Sequence, residues 1–590
     1  CSCDGTYSDT SVEGSVWIGY KVGYGATEAH SNTVIGCCAG YALTCGGRNV
    51  FLGAGAGKNI TTGGCNVLLG KDVEGGSATG DKQFKIGCAG SHWICGDSSF
   101  NIYDKDGNQL NGGGGGGSGF TPDSQGNLYA GTSAGACSDS DTLCNVAIGQ
   151  CAGCKLDAGD FNVIIGNNAG RNTTTGKTNF FGGYSAGCAN VSGCYNVMFG
   201  LGAGKCPTTG NSRVFIGQGA GEKSCGNHNT FIGYYAGQCA GTGGSGSYNV
   251  AFGYHAGQKI TTGVKNVFLG CNAGSEATGA SHNVVLGTNA GRYITTNGGC
   301  NVFAGYYAGC ANTTGCENIH MGRQAGRDDQ TGYRNVYIGM TAGRIQTSGR
   351  HDNVFLGNGA GRYSTSTNRS VFIGCYAGIK ASGADDSVFI GTKAGAGCSD
   401  GSTCATGDNT IAIGTCAGLN LTSATHNILL GTSAGEKVTT GSNNISFGNL
   451  SAKCLTTGQL NILFGERTGC LLAGGNYNVF MGRYAGRQVA GGSYNTILGD
   501  ESGMGQTAGD CNVIIGHGSR AASTTGSNQL AIGIEENYWL RGDSSYNVVI
   551  GGCVQATSAA SSANGHRKIT TSTSAPSGGS DGDIWIKYTA

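Results

Sequence analysis

The chain has 590 residues, with 35 Lys and Arg against 35 Asp and Glu, 116 Gly, 3 Pro and 29 Cys. Balanced charge supplies no basic surplus for nucleic acid, and no apolar run approaches the roughly 18 residues of a membrane span. Glycine follows no triplet period, which excludes collagen, and the length suits a single domain only if it grows in one direction.

The chain starts Cys1-Ser-Cys3, without Met or signal peptide, and reads as a processed product or part of a longer protein. Residues 1–31 hold a degenerate unit, Ser15-Val-Trp-Ile-Gly19, read as a cap or junction. From Asn32 a unit recurs: Asn, three apolar residues, Gly, two variable residues, Ala-Gly, then a polar run often holding Thr-Thr-Gly. Asn478-Val-Phe-Met-Gly482 with Ala485-Gly486 is one copy, and Asn495-Thr-Ile-Leu-Gly499 starts the next. The period is about 17 residues and roughly 30 copies are present, the signature of a solenoid. The apolar block is strand-forming and closes at a residue free to take positive φ. So short a unit has no room for a helix. It predicts an all-β fold, a parallel β-solenoid whose turn carries two or three short strands.

The first run of units spans 32–90. An insertion at 91–126 follows, with Trp93, Asp97, the extended run Phe100-Asn-Ile-Tyr103, the turn Asp104-Lys-Asp-Gly107 and six glycines from Gly112 to Gly117. It reads as a flexible projecting loop. The second run spans 127–551, with bulged loops expected at Gly237–Tyr248 and Gly395–Asp408. An echo links the two runs. Gln83-Phe-Lys-Ile-Gly87, Trp93 and Gly96-Asp97 match Gln529-Leu-Ala-Ile-Gly533, Trp539 and Gly542-Asp543 at constant offset. Residues 552–580 read as a Ser/Ala/Thr/Gly linker, and 581–590 as a C-terminal strand able to pair with copies of itself.

Stacked units would align the opening asparagines, Asn32, Asn49, Asn66, Asn145, Asn162 and onward to Asn512, as an amide ladder. Alternation sends the second and fourth strand positions to one face and the third to the other. The third holds Phe51, Phe181, Phe215, Phe268, Phe355 and Phe480; the other face holds Val, Ile, Leu and Met. Both faces are apolar, the mark of a strand covered on both sides. A coil has one interior, so the other face needs a partner, most simply further copies of the chain. The expectation is a parallel homo-oligomer, a homotrimer first.

Cysteine richness suggests an oxidising exterior. Cys188 and Cys194 bracket one turn, Cys310 and Cys316 another, while Cys188 with Cys206 and Cys454 with Cys470 fall on neighbouring coils. These are candidate disulfides, since a coil spacing of about 4.8 Å suits the bond. Free thiols serving as small apolar groups are the alternative. Cys151-Ala-Gly-Cys154 lacks a second ligand pair, so no metal site is expected. Arg327, Arg344 and Arg362 follow Ala-Gly in consecutive coils; Arg171, Arg292 and Arg487 share the position. The column suits bidentate grip on an anionic polysaccharide, or a solvated edge partnered by Asp328, Asp329 and Asp352. Arg541-Gly-Asp543 resembles an integrin tripeptide but belongs to the echoed coil. Asn-x-Ser/Thr sequons such as Asn59 and Asn172 are frequent, as expected in a chain this rich in both residues. No catalytic set, cofactor motif or calcium-binding β-roll pattern is present.

The block Asn162-Val-Ile-Ile-Gly166 with Ala169-Gly170 resembles the head repeats of YadA-like trimeric autotransporter adhesins over about 32–551. That resemblance implies left-handed parallel β-rolls, three chains together, although the family's repeat is shorter. The ending Ala575-Pro-Ser-Gly-Gly-Ser-Asp-Gly-Asp-Ile-Trp-Ile-Lys-Tyr588 and the Trp539–Asn547 coil look like parts of tail-fibre proteins of marine tailed phages. The resemblances imply a non-enzymatic virion fibre, extracellular, joined to other virion proteins and binding host-surface polysaccharide. Nucleic acid and membrane insertion are not expected. A cellular adhesin or filament is the alternative, and a polysaccharide-cleaving tailspike a weaker one.

Overall fold

The Asn-apolar-apolar-apolar-Gly block forms one three-residue strand per turn, as at Val163–Ile165, Val197–Phe199 and Val371–Ile373. The structure is a computed structural model and describes residues 14–89, 91–96, 102–104, 122–242, 246–346, 349–397, 407–551, 569–572 and 584–587. Among these there is no helix. The chain is a parallel β-solenoid of about 28 turns with a repeat of ~17 residues. It divides into two units, Cys1–Asn301 and Val302–Ala590.

The first unit holds a seven-stranded sheet, from Val16–Ile18 to Ile102–Asp104, and a ladder from Leu128–Ala130 to Val284–Leu286. The second holds the ladder from Val302–Ala304 to Val548–Ile550 and a separate parallel pair, Ile569–Ser572 with Ile584–Lys587. Solenoid strands pair in register, so Phe355 lies beside Phe372 and Phe372 beside Phe389. The expected two or three strands per turn reduce to one. The other sides of the coil are turns, tied to the next coil by backbone bonds such as Gly361 N to Ala377 O at 2.9 Å and Tyr363 N to Ile379 O at 2.8 Å.

Two glycines set that shape. The one ending each strand takes a φ that side chains rarely adopt; at Gly374 it is 130°, and a Cβ there would fall 2.6 Å from the Gly391 carbonyl oxygen of the next coil. The one after Ala is left-handed and lies against the core ring: a Cβ on Gly361 would meet Phe355 at 2.4 Å. The residue before each Asn is also left-handed, as at Tyr477 and Tyr494 with φ of 56° and 60°, an uncommon conformation for a bulky residue.

The third strand position is the interior. Phe181, Phe268, Phe355, Phe372 and Phe480 are fully buried, together with the Ala of Ala-Gly and apolar residues such as Ile260, Leu421 and Leu455 from the polar run. The rings stack: Phe355 to Phe372 is 4.6 Å between centroids and Phe372 to Phe389 is 4.8 Å. Aromatic pairs of this kind contribute about 0.5–1.5 kcal/mol beyond burial.

The amide ladder forms as the sequence predicts. Asn478 N and Nδ2 both donate to Asn461 Oδ1, at 3.0 and 2.9 Å, and Nδ2 also donates to Gly492 O at 2.9 Å. Each Asn therefore satisfies a backbone amide of one coil and a carbonyl beside it, in a core where an unpaired polar group is costly. Hydroxyls continue the ladder at Ser370 and Ser387, where Ser387 N donates to Ser370 Oγ at 3.1 Å.

The echoed coils are where the parallel ladder ends. Phe84–Cys88, Ser91–Gly96 and Ile102–Asp104 form an antiparallel meander, and so do Leu530–Ile534, Asn537–Gly542 and Val548–Ile550. Both carry a bulge, between Ile86 and Gly87 and between Ile532 and Gly533. At both sites the ladder residue is Gln. One methylene longer than Asn, it folds back on its own turn: Gln83 Nε2 donates to Ser77 O and Gly80 O at 2.8 and 2.7 Å, and Gln529 Nε2 to Ser523 O and Gly526 O at 2.9 and 2.8 Å.

The turn that carries 237–248 lengthens the repeat to 20 residues and returns to register, with Phe231 beside Ala251, while residues 243–245 lie outside the described residues. Gly112–Gly117, Asp97 and most of the 552–580 linker lie outside the described residues, as do residues 398–406 of the second bulge. Within the stretch read as linker, β-branched Ile569-Thr-Thr makes a strand, and it pairs with the C-terminal strand of its own chain.

Candidate functional site

The strand pattern that buries Phe inward turns the second and fourth positions outward. In the second unit Ile445, Phe447, Ile462, Phe464 and Met481 are between 39 and 47 % exposed. Phe447 and Phe464 stack at 4.7 Å on that outer face. Single exposed apolar residues are ordinary; a continuous column of them marks an interaction surface. In the first unit the same face is partly covered. Leu69, Ile86 and Trp93 of the seven-stranded sheet and Ile165, Phe180 and Phe199 of the ladder line an apolar groove of about 360 Å³. Apart from Trp93, all of them are second- or fourth-position residues.

Arg334 and Arg369, on another edge, are neutralised across coils. Arg334 meets Asp352 through Nε and Nη2 at 2.6 and 2.9 Å, and Arg369 meets Asp386 at 2.7 Å through both. These pairings hold the Asp352 and Asp386 carboxyls below the usual range. The pairs are exposed, so each adds little stability.

The Arg327, Arg344 and Arg362 column does stack. Asp328 N donates to Arg344 O and Ile345 N to Arg362 O, both at 2.9 Å. The expected partners divide differently. Asp328 binds Arg327 bidentately, at 2.8 Å twice. Asp352 serves Arg334 and His351. Asp329 is not on the edge at all: it is fully buried. The residue three after the Ala-Gly glycine points inward, as Ile260 does elsewhere, and Asp329 holds that place.

Asp329 Oδ2 lies 3.8 Å from Nε2 of His320, which is buried in the Phe column between Phe303 and Tyr337. Burial drives His320 down to about 3 and Asp329 up to about 7. Asp329 Oδ1 accepts from Gly332 N at 2.9 Å, while Oδ2 and both His320 nitrogens have no hydrogen-bond partner among the described residues. No motif marks His320, but its third-position place in Ile319-His-Met321 is an interior one. Arg213 likewise carries no motif and is marked only by standing where the ladder has Asn. Arg213 is fully buried, with Nη1 on Ser224 O at 2.9 Å and Nη2 on Thr209 O, and burial lowers it to about 10.

The candidate cysteines lie on neighbouring coils as the period requires, with Cys454 N donating to Cys470 O at 3.0 Å and Cys188 Sγ to Lys205 O at 3.4 Å, next to Cys206. Cys188, Cys194, Cys206, Cys454 and Cys470 carry free thiols here; Cys310 is buried and Cys316 half-buried. Burial raises the Cys188 and Cys470 thiols, and the neighbouring Cys206 and Cys454 add to it. In the Arg541-Gly-Asp543 tripeptide, Asp543 is held in its own turn by Ser545 N, Asn547 N and Asn547 Nδ2 at 2.9–3.0 Å. Among the described residues no group of three or more His, Cys, Asp or Glu could hold a metal ion, and no helix is long and apolar enough to cross a membrane. No protein-family model, curated protein or solved structure matches the chain.

Proposed function

We propose that this chain is a non-enzymatic structural and adhesive fibre whose copies, three to an assembly, pack along their outer strand faces. The virion tail fibre is the form the reading takes, with host-surface polysaccharide as the external partner. The observation that carries it is the outer column, Ile445 to Met481, left 39–47 % exposed on a single chain. Solvating such a column on every coil opposes the hydrophobic effect, at about 25 cal/mol per Å² of apolar surface. The groove in the first unit supports the same reading: there outer-face residues of two sheets line one apolar groove. The virion assignment draws on the resemblance of the C-terminal residues and the Trp539 coil to tail-fibre proteins. Immunogold labelling of purified particles tests it. Label on fibres supports it; label on cell surfaces with none on particles refutes the virion assignment in favour of a cellular adhesin.

A further inference from the structure

Three exposed arginines of this fold are each met by a carboxylate from the next coil. Arg334, Arg369 and Arg483 are met by Asp352, Asp386 and Asp500 through paired contacts of 2.6–3.0 Å. The edge after Ala-Gly is arranged differently. Arg327 is neutralised by Asp328, but neither Arg344 nor Arg362 on the next two coils has a carboxylate partner among the described residues. Both are half-buried, and the Nε of each is shielded from solvent without an acceptor. Arg344 is disfavoured as a cation by burial first, then by Arg327 and Arg362, with Asp328 opposing them at longer range. Arg362 lies over the ring of Tyr363 at 4.9 Å, and Tyr363 is 37 % exposed.

We propose that Arg344, Arg362 and Tyr363 form a binding site for a polyanionic polysaccharide, carboxylated or sulfated, lying along the stack. Guanidiniums repeated at the coil spacing, about 4.8 Å, ask for a ligand with repeated anionic groups rather than one free ion. Guanidinium suits carboxylate and sulfate oxygens through paired N–H donors. The exposed ring beside them offers an apolar face to a sugar. Zero net charge over the chain gives no long-range attraction for nucleic acid. The proposal rests on the fibre reading only for the extracellular nature of its partner.

The test uses the full chain with dextran sulfate and polygalacturonate as probes, and neutral dextran and duplex DNA as comparators. R344Q/R362Q is expected to weaken binding of at least one probe by about tenfold, near 1.4 kcal/mol, while R369Q stays within about twofold. The probe affected tells sulfate from carboxylate. Hydrogen exchange on the unmodified chain supplies a second readout, with protection by the probe expected over residues 341–346 and 359–366. Unchanged binding in R344Q/R362Q, protection confined elsewhere, or equal affinity for neutral dextran or DNA would overturn the proposal. Sedimentation of the same samples keeps the two readings apart: a monomer that binds sinks the fibre, and an assembly that does not bind sinks the site.

Discussion

Arg213 breaks the amide ladder, and the structure says what replacing it should do. It stands where other coils place Asn, and Ser224, eleven residues on, stands where other coils place Leu156, Leu421, Leu455 or Leu472. The long side chain fills the room that the small one leaves. The depression of the guanidinium to about 10 corresponds to about 3 kcal/mol against the buried charge. Below pH 10 the group is protonated in both the folded and unfolded states, so the penalty is present in full at neutral pH; it is relieved only as pH rises above about 10. The double variant R213N/S224L removes the charge, buries a leucine worth about 1.5–3 kcal/mol, and gives the Asn229 amide the Oδ1 acceptor that Arg cannot offer. Losing the bonds to Ser224 O and Thr209 O costs about 1–3 kcal/mol. The net expectation is a gain of about 3 kcal/mol, or opening roughly a hundredfold rarer. Hydrogen exchange at Val214–Ile216 and Thr230–Ile232 reads it locally. Exchange in those strands that is unchanged or faster would refute the reasoning, while R213N alone, leaving a void beside Ser224, should gain much less.

Phe372→Ala removes a ring stacked on both sides and should cost about 3–5 kcal/mol. Because a solenoid's coils contact only their neighbours, exchange should rise at Val354–Leu356 and Val388–Ile390 and stay unchanged at Val479–Met481. Asp329 is raised from 3.8 to about 7 by burial, so its contribution is most favourable below pH 3.8 and is lost as pH rises toward and through 7. Asp329→Asn, which copies Asn312 one coil earlier, should therefore raise the denaturation midpoint at pH 8 and leave it unchanged near pH 4; an equal rise at both would contradict the assignment. Phe447→Asp with Phe464→Asp places two carboxylates on the outer face without touching the core. It should keep the β circular-dichroism spectrum and shift sedimentation toward the single chain.

Period and alternation made the solenoid legible. The Asn ladder followed from the recurrence of Asn32, Asn49 and Asn66, and two apolar faces followed from Val267 and Leu269 flanking Phe268. Which face turns inward was not legible, because both are apolar. The ring goes in because the Gly of Ala-Gly leaves space against it, as Gly361 does for Phe355. Asp329 was placed on the surface because a charge was read as solvated. Its position three after Gly326 is an interior one, and Ile60 or Leu455 at the same place would have signalled it. Arg213 hid because a ladder of amides was read as a list of Asn, not as a column whose exceptions carry the information. The Arg344 and Arg362 column was legible as spacing alone; that Asp328 turns its paired contact to Arg327 required the three-dimensional arrangement.

The central claim is that the outer strand face is covered by other copies of the chain, and sedimentation of the full chain in native buffer tests it most directly. The account predicts a particle of three times the 59.2 kDa chain mass that persists on dilution. A stable, soluble particle at the mass of one chain would contradict it.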